Sequence, residues 1–280
     1  MVDLPQDSLL SSPKLVAIAH DSVIKPMVKF EDKANLPGIT LDFGQDLTSG
    51  SGRKAPQDKS VGTTEAELKP KMRKLLGEFA AGDKTGMAKR LFDAFLDDKP
   101  RQLMFFDDPD LSAAAAKHEN ILAFMSAALS APNSSHKADP GKVRIHQALK
   151  AAGWDITKLI APADLGVPAF NNGSKKWETG DFDNGLGLMI NGVQHVFALA
   201  THYKYDKNAG TYIIGLRFFF YDVFGLDDQD LIDFGASSDG FFHTKAGVGI
   251  TAWWQLQHQF GHVPLITRIG LEQALECPAT

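Results

Sequence analysis

The chain has 280 residues, 44% of them hydrophobic, and a formal net charge of −5 at pH 7. This length and composition support a hydrophobic core, and the acidic balance argues against nucleic-acid binding, which needs a basic surface. No stretch approaches the roughly 20 consecutive apolar residues of a transmembrane helix. We therefore expect neither a nucleic-acid partner nor a transmembrane segment.

The cysteine content and the N-terminal stretch limit the chemistry further. Cys277 is the single cysteine, so an internal disulfide and a Cys-x-x-Cys metal site are excluded. The first 20 residues lack the basic-then-apolar order of a secretory signal. We therefore expect any export to use a route other than general secretion.

The first 62 residues of the sequence have weak structural signals. Residues 1–62 include "GQDLTSGSGRKAPQDKSVG", which is rich in glycine, serine and charge and has no apolar period. We expect this segment to be loosely ordered. The stretch "LVAIAHDSVIKPMVKF" within it could still supply a short strand or wrap onto the body of the protein.

Residues 63–165 are predicted to form a small helical bundle. Apolar residues recur at helical spacing from Leu68, and Pro70 is expected in a first turn. The alanine-rich residues 111–129 predict one helix, and Asp139 followed by Pro140 predicts the start of another.

Residues 166–280 carry the signals of a β-rich region with a C-terminal helix. Asn191-Gly192 between two apolar runs predicts a hairpin, and "KNAG" at 207–210 predicts a second turn. The following strand, "TYIIGLRFFFYDVF", is apolar on both faces, which is typical of a central strand. A helix at about 248–260 and a strand at 263–272 should follow.

The predicted fold class is therefore α+β. We expect an N-terminal helical bundle followed by a C-terminal antiparallel sheet or open barrel with one packed helix. The corresponding domain division is 1–62, 63–165 and 166–280.

Acidic side chains cluster after the apolar strand, in "FYDVFGLDDQDLIDFG" at 220–235. Asp222 ends the strand, and Asp227, Asp228 and Asp230 follow within one loop. Clustered carboxylates can hold Mg²⁺ or Ca²⁺ and can raise one another's pKa, so we take these four as candidate catalytic residues. In the structural alternative, Asp227 caps a short helix with Asp230 in a capping box, and Asp222 only solvates a strand end.

A histidine in the next predicted loop could act as the proton partner of these carboxylates. "SSDGFFHTKAG" at 237–247 places His243 between glycines. A loop histidine near an acidic strand end can serve as a general acid or base. The alternative is a histidine that is simply solvated.

His258 and His262 in "LQHQFGHVPL" have the i, i+4 spacing of a metal-binding pair on one helix face. Gly261 is a natural residue for a helix end, and Pro264 prevents continuation. We therefore expect His262 to lie beyond the helix, and we rank a metallohydrolase based on this pair third among the hypotheses.

Three phrases in the C-terminal part carry a resemblance to a known family. They are "DNGLGLMINGVQ", "YDVFGLDDQDL" and "AWWQLQHQFGHVPLIT". Together they resemble an uncharacterised bacterial domain family found in proteins of interbacterial competition, including cargo of type VI secretion systems. The resemblance implies synthesis in the bacterial cytoplasm and delivery into a target cell without a signal peptide. Secretion-machinery components and a cognate immunity protein are the partners that it implies.

The order of predicted elements is also similar to that of colicin M, a toxin that cleaves the peptidoglycan precursor lipid II. The Asp-x-Tyr-Asp motif of that family aligns with Asp222-Val223-Phe224-Gly225, in which the first aspartate alone is kept. The similarity implies a phosphodiester or pyrophosphate bond of a lipid-linked precursor as the substrate.

Two functional hypotheses follow. The first is an antibacterial effector toxin that hydrolyses a lipid-linked envelope precursor, using the carboxylates from Asp222 to Asp230 and His243. The second is a non-catalytic binding, adaptor or immunity-type module of a secretion system, whose acidic surface and Trp253–Trp254 helix contact a partner.

Overall fold

The computed structural model describes residues 2–20, 28–44, 46–47, 61–97, 102–131, 144–168, 183–190, 192–237 and 246–280. The strands are β1 (Leu9–His20), β2 (Val28–Glu31), β3 (Thr40–Phe43), β4 (Met104–Asp107), β5 (Ala163–Asp164), β6 (His195–Asp206), β7 (Thr211–Phe224) and β8 (Leu265–Pro278). The helices are α1 (Glu65–Arg73), α2 (Leu75–Phe79), α3 (Met87–Leu96), α4 (Pro109–Ala115), α5 (Glu119–Leu129), α6 (Ile145–Ala151), α7 (Leu186–Ile190), α8 (Asp228–Phe234) and α9 (Gly247–His258).

Six of these strands form one mixed sheet in the order β4-β8-β7-β6-β1-β5. The four inner strands pair antiparallel with one another. The short strands β4 and β5 lie at the two edges and pair parallel with β8 and β1. The strands β2 and β3 form a separate antiparallel hairpin.

The protein is α+β, but the predicted arrangement of its parts is wrong. The chain begins with strands rather than with a helical bundle, and the helices α1 to α6 lie in the middle of the sequence. The sheet is mixed, not an antiparallel sheet or open barrel. Local patterns could not reveal this arrangement, because β1 pairs with a strand far away in sequence: His20 lies opposite His195.

The prediction that β7 is apolar on both faces is confirmed. Ile214, Leu216, Phe218 and Phe220 pack into the large core between the sheet and the helices. Phe219 and Tyr221 belong instead to a smaller cluster on the opposite face. A strand with core on both sides sits centrally, and β7 indeed pairs along its length with both β6 and β8.

One of the two predicted turns is confirmed. "KNAG" connects β6 to β7, and the Asp206 carboxylate accepts the backbone N–H groups of Asn208 and Ala209. The predicted hairpin at Asn191-Gly192 is wrong, because the preceding apolar run forms helix α7. A fully buried run of this length does not distinguish a strand from a helix by its periodicity.

The helices agree with prediction at the C-terminal end and differ earlier. Helix α9 matches the predicted helix at 248–260. Pro70 lies inside α1, and the alanine-rich stretch is two helices, because His118 caps α5. The predicted helix start at 139–140 lies outside the described residues. None of the helices in the described ranges is both long and apolar enough to cross a bilayer.

The β2–β3 hairpin covers the second face of the sheet. Leu41 and Phe43 from β3 join Tyr221 in the smaller core cluster. A buried polar contact fastens the same hairpin: Asp32, 1% exposed, accepts a hydrogen bond from the Tyr221 hydroxyl at 2.8 Å and one from Arg268 at 2.6 Å. The chain leaves this hairpin towards the carboxyl-terminal end of β7.

Candidate functional site

The acidic stretch after β7 forms the start of helix α8. Asp227 is the N-cap residue, and its carboxylate accepts the backbone N–H groups of Gln229 and Asp230. The Asp230 carboxylate accepts the N–H of Asp227 in return, at 3.0 Å. The predicted capping box is confirmed, so both carboxylates are held by the backbone of one helical turn.

Asp46 completes a group of three carboxylates at this place. Oxygen atoms of Asp46, Asp227 and Asp230 all lie within 4.8 Å of one another. Asp227 is buried, whereas Asp46 and Asp230 are half-buried. We call these three residues the acidic site. Two of them belong to one helical turn, and the third comes from a segment more than 180 positions earlier in the sequence.

The backbone of Asp46 lies against Gly225, the residue that follows β7. A Cβ atom at position 225 would overlap the carbonyl oxygen of Asp46 and lie 3.1 Å from Pro264. Asp46 itself has a φ of 63°, a left-handed conformation that aspartate tolerates better than most residues. Glycine is therefore required at position 225, because a side chain there would collide with the backbone of Asp46.

Replacing Gly225 with alanine is expected to lower the free energy of unfolding by about 1–3 kcal/mol, because backbone must move to admit the methyl group. Gly77→Ala is the matched control, since Gly77 lies in helix α2 and the added Cβ would have no atom within 4 Å other than those of its chain neighbours and its own helix backbone. Urea denaturation of both variants measures the difference. Equal stability of the two variants would show that Asp46 does not rest on Gly225.

The electrostatics of the acidic site favour protons or cations. Burial raises the pKa of Asp46 well above its usual range, and the neighbouring Asp230, Asp222 and Asp227 raise it further. Burial also raises the pKa of Asp230 to about 7, although the N–H of Asp227 opposes that shift. In the described part of the chain, no lysine or arginine forms an ion pair with these carboxylates. The carboxylates must therefore share protons or bind a cation to relieve their repulsion.

Asp222 is a buried neighbour of the acidic site. Its side chain is 4% exposed, and it accepts the backbone N–H groups of Gly192 at 3.1 Å and Val223 at 2.8 Å. Burial raises the pKa of Asp222 to about 7, with both N–H groups opposing the shift. Gly192 lies near both carboxylates: a Cβ there would lie 3.4 Å from the Asp222 carboxylate and 4.0 Å from that of Asp46.

Asp228, another of the predicted residues, does not join the acidic site. The carboxylate of Asp228 accepts the indole N–H of Trp254 at 3.0 Å, which ties α8 to α9. His243 lies outside the described residues. Of the candidates drawn from the sequence, the structure therefore brings Asp227 and Asp230 together, with Asp222 adjacent.

The two histidines of "LQHQFGHVPL" contact different parts of the chain. His258 is the last residue of α9, and its Nε2 lies 2.6 Å from the carbonyl oxygen of Leu226. His262 follows Gly261, whose φ of 72° ends the helix as predicted. The Nδ1 of His262 lies 3.0 Å from the carbonyl oxygen of Phe95. The pair therefore holds neighbouring segments and does not form a shared metal site.

Sequence reasoning missed Asp46 altogether. It lies in "GQDLTSG", a stretch whose composition indicates a loop and nothing more. A lone aspartate before a glycine- and serine-rich segment carries no local signal of a site. Its role follows only from the tertiary contact with Gly225 and α8.

This arrangement can bind a hard cation, because Mg²⁺ and Ca²⁺ prefer carboxylate oxygens. It can equally hold a proton at neutral pH, which suits a general acid. The chain matches no protein-family model, no curated protein and no solved structure.

Proposed function

We propose that this protein is a divalent-cation-dependent hydrolase that acts as an antibacterial effector on the cell envelope. The observation that carries the proposal is the convergence of Asp46, Asp227 and Asp230 within 4.8 Å at the end of the central strand. Three oxygen ligands from two separate segments suit Mg²⁺ or Ca²⁺. The proposed substrate is a phosphodiester or pyrophosphate bond of a lipid-linked peptidoglycan precursor, as the resemblance to colicin M implies.

The chain's own residues would divide the work. Asp227 and Asp230 are fixed by their capping bonds, and Asp46 and Asp230 are half-buried. A bound cation would supply charge stabilisation for the phosphate oxygens. Asp222, buried behind the site, would keep the strand end and Gly192 in place rather than touch the substrate. His243 stays a proposed proton partner.

Delivery follows from the same proposal. The resemblance to type VI cargo supports transfer into a target cell by a dedicated machine. Components of that machine and a cognate immunity protein are the proposed protein partners.

The test combines cation binding with toxicity. Isothermal titration with Mg²⁺ and Ca²⁺ should show binding to the wild type and at least a tenfold loss of affinity in Asp46→Asn. Expression in the periplasm of a sensitive bacterium should be toxic for the wild type and harmless for Asp46→Asn. Asp233→Asn is the control, since Asp233 is exposed on the same helix α8 and accepts a hydrogen bond from Gln229.

A second function is favoured by one specific observation: four of the described carboxylates at or beside the site already have a structural partner. Asp227 and Asp230 cap α8, Asp228 binds Trp254, and Asp222 binds backbone N–H groups. In a non-catalytic binding or immunity-type module, these structural contacts would be the whole role of the carboxylates. Wild-type protein that is harmless in both periplasm and cytoplasm, and that binds no cation, would favour this second function.

A further inference from the structure

Gln257 lies on helix α9 between the two chain segments that carry the acidic site. Its side chain is 6% exposed, so its amide must find partners inside the protein. Asp46, from the segment after the β2–β3 hairpin, contacts this amide, and so does Leu226, from the connection between β7 and α8.

The Gln257 amide binds the backbone of both segments. Its Oε1 accepts the N–H of Leu226 at 2.9 Å, and its Nε2 donates to the Leu226 carbonyl at 3.1 Å. The same Nε2 donates to the Asp46 carbonyl at 2.8 Å. Leu226 directly precedes Asp227, so one planar amide connects the backbone at Asp46 to the backbone at the capping box.

These contacts work against the repulsion within the acidic site. Asp46 is drawn towards Asp230 and Asp227 although all three side chains are carboxylates. Gly225 permits the approach but does not hold Asp46. The hydrogen bond from Gln257 to the Asp46 carbonyl is a direct attachment between α9 and this segment.

We propose that Gln257 is the positioning residue of the acidic site, setting the separation between Asp46 and the Asp227–Asp230 turn. The role of the site in cation binding rests on the proposed function, whereas the hydrogen bonds of Gln257 do not depend on it. The position needs an amide, because the side chain must accept from one N–H while donating to two carbonyls. A carboxylate would face both carbonyl oxygens with no proton to donate, and a thioether could form none of the three hydrogen bonds.

The chain supplies a matched control two residues away. Gln255 lies on the same helix and is 1% exposed. Its Oε1 accepts the N–H of Val61 at 2.9 Å, and its Nε2 donates to the Gly62 carbonyl at 3.1 Å. It therefore makes the same kind of backbone contact to a segment that contains no residue of the acidic site.

The experiment compares Gln257→Met with Gln255→Met in the full-length protein. Binding of Mg²⁺ and Ca²⁺ should weaken at least tenfold in Gln257→Met and stay within twofold of wild type in Gln255→Met. The placement of Asp46 is measured separately by thiol labelling of Leu47→Cys, since the native Cys277 is buried. Labelling should be at least tenfold faster in the Gln257→Met background than in the Gln255→Met background.

The two measurements separate this inference from the proposed function. Equal labelling rates in the two backgrounds would overturn the positioning role, and so would equal loss of cation affinity. Wild-type protein that binds neither cation would overturn the proposed function alone. In that case faster labelling in the Gln257→Met background would still establish that Gln257 holds Asp46 in place.

Discussion

Raising the pH from 5 to 8 is expected to lower the free energy of unfolding of the wild type, relative to Asp222→Asn, by about 3 kcal/mol. Burial raises the pKa of Asp222 to about 7 in the folded protein, so the folded state keeps a proton that the unfolded chain has already released. A carboxyl group whose pKa is higher in the folded than in the unfolded state stabilises the fold at low pH. This contribution is lost as the pH rises towards 7.

Comparison with Asp222→Asn cancels the titration of groups that do not interact with Asp222. Asp222 also raises the pKa of Asp46, and this coupling acts in the same direction as the titration of Asp222 itself. His146 acts in the opposite direction. Burial lowers its pKa, so its contribution to the free energy of unfolding increases as the pH rises. The lowered carboxyl pKa values, as at Asp32, act mainly below this range. Urea denaturation at each pH gives the two stability curves. A wild type that gains stability over Asp222→Asn as the pH rises would show that Asp222 is ionised in the fold.

Replacing Asp32 with alanine is expected to lower the free energy of unfolding by about 3 kcal/mol, because it leaves buried groups without their partner. Burial alone would raise the pKa of Asp32, but hydrogen bonds from Tyr221, Arg268 and Asn35 outweigh it and lower the pKa. The Tyr221 hydroxyl would lose its acceptor, and Arg268 would lose its buried carboxylate. The hairpin would lose its polar attachment to the sheet.

Asp107→Ala is the control for that prediction. Asp107 binds the same Arg268 side chain, but its own side chain is 52% exposed. Exposed ion pairs contribute about 0–1 kcal/mol, so this variant should be close to wild type in chemical denaturation. Similar losses of unfolding free energy in both variants would show that the buried Asp32 contributes no more to stability than the exposed Asp107.

Features set by neighbouring residues were predictable from the sequence. The turn before Thr211 depends on Asp206 and the next few residues, and the capping box depends on Asp227 and Asp230. The two-sided burial of β7 was visible in its continuous apolar run. The end of α9 was predictable because Gly261 and Pro264 stand directly after it.

Features set by distant contacts were not predictable. The place of β1 in the sheet depends on pairing with β6, and nothing near residues 9–20 specifies that partner. Asp46 joins the acidic site through contacts of its backbone with Gly225 and Gln257, both far away in sequence. Helix α7 was not predicted for a different reason: it is too short and too buried to show a helical period.

The pairing of β1 with β6 also has a consequence for synthesis on the ribosome. At about 5–20 residues per second, β6 emerges roughly 9–35 seconds after β1, since His20 and His195 are 175 positions apart. During that interval "LVAIA" is an apolar, β-prone stretch without its partner. The β6–β7 pair closes locally once it appears, and β1 must then dock against a preformed edge. A nascent chain of this protein is therefore expected to engage holding chaperones until its final hundred residues have been made.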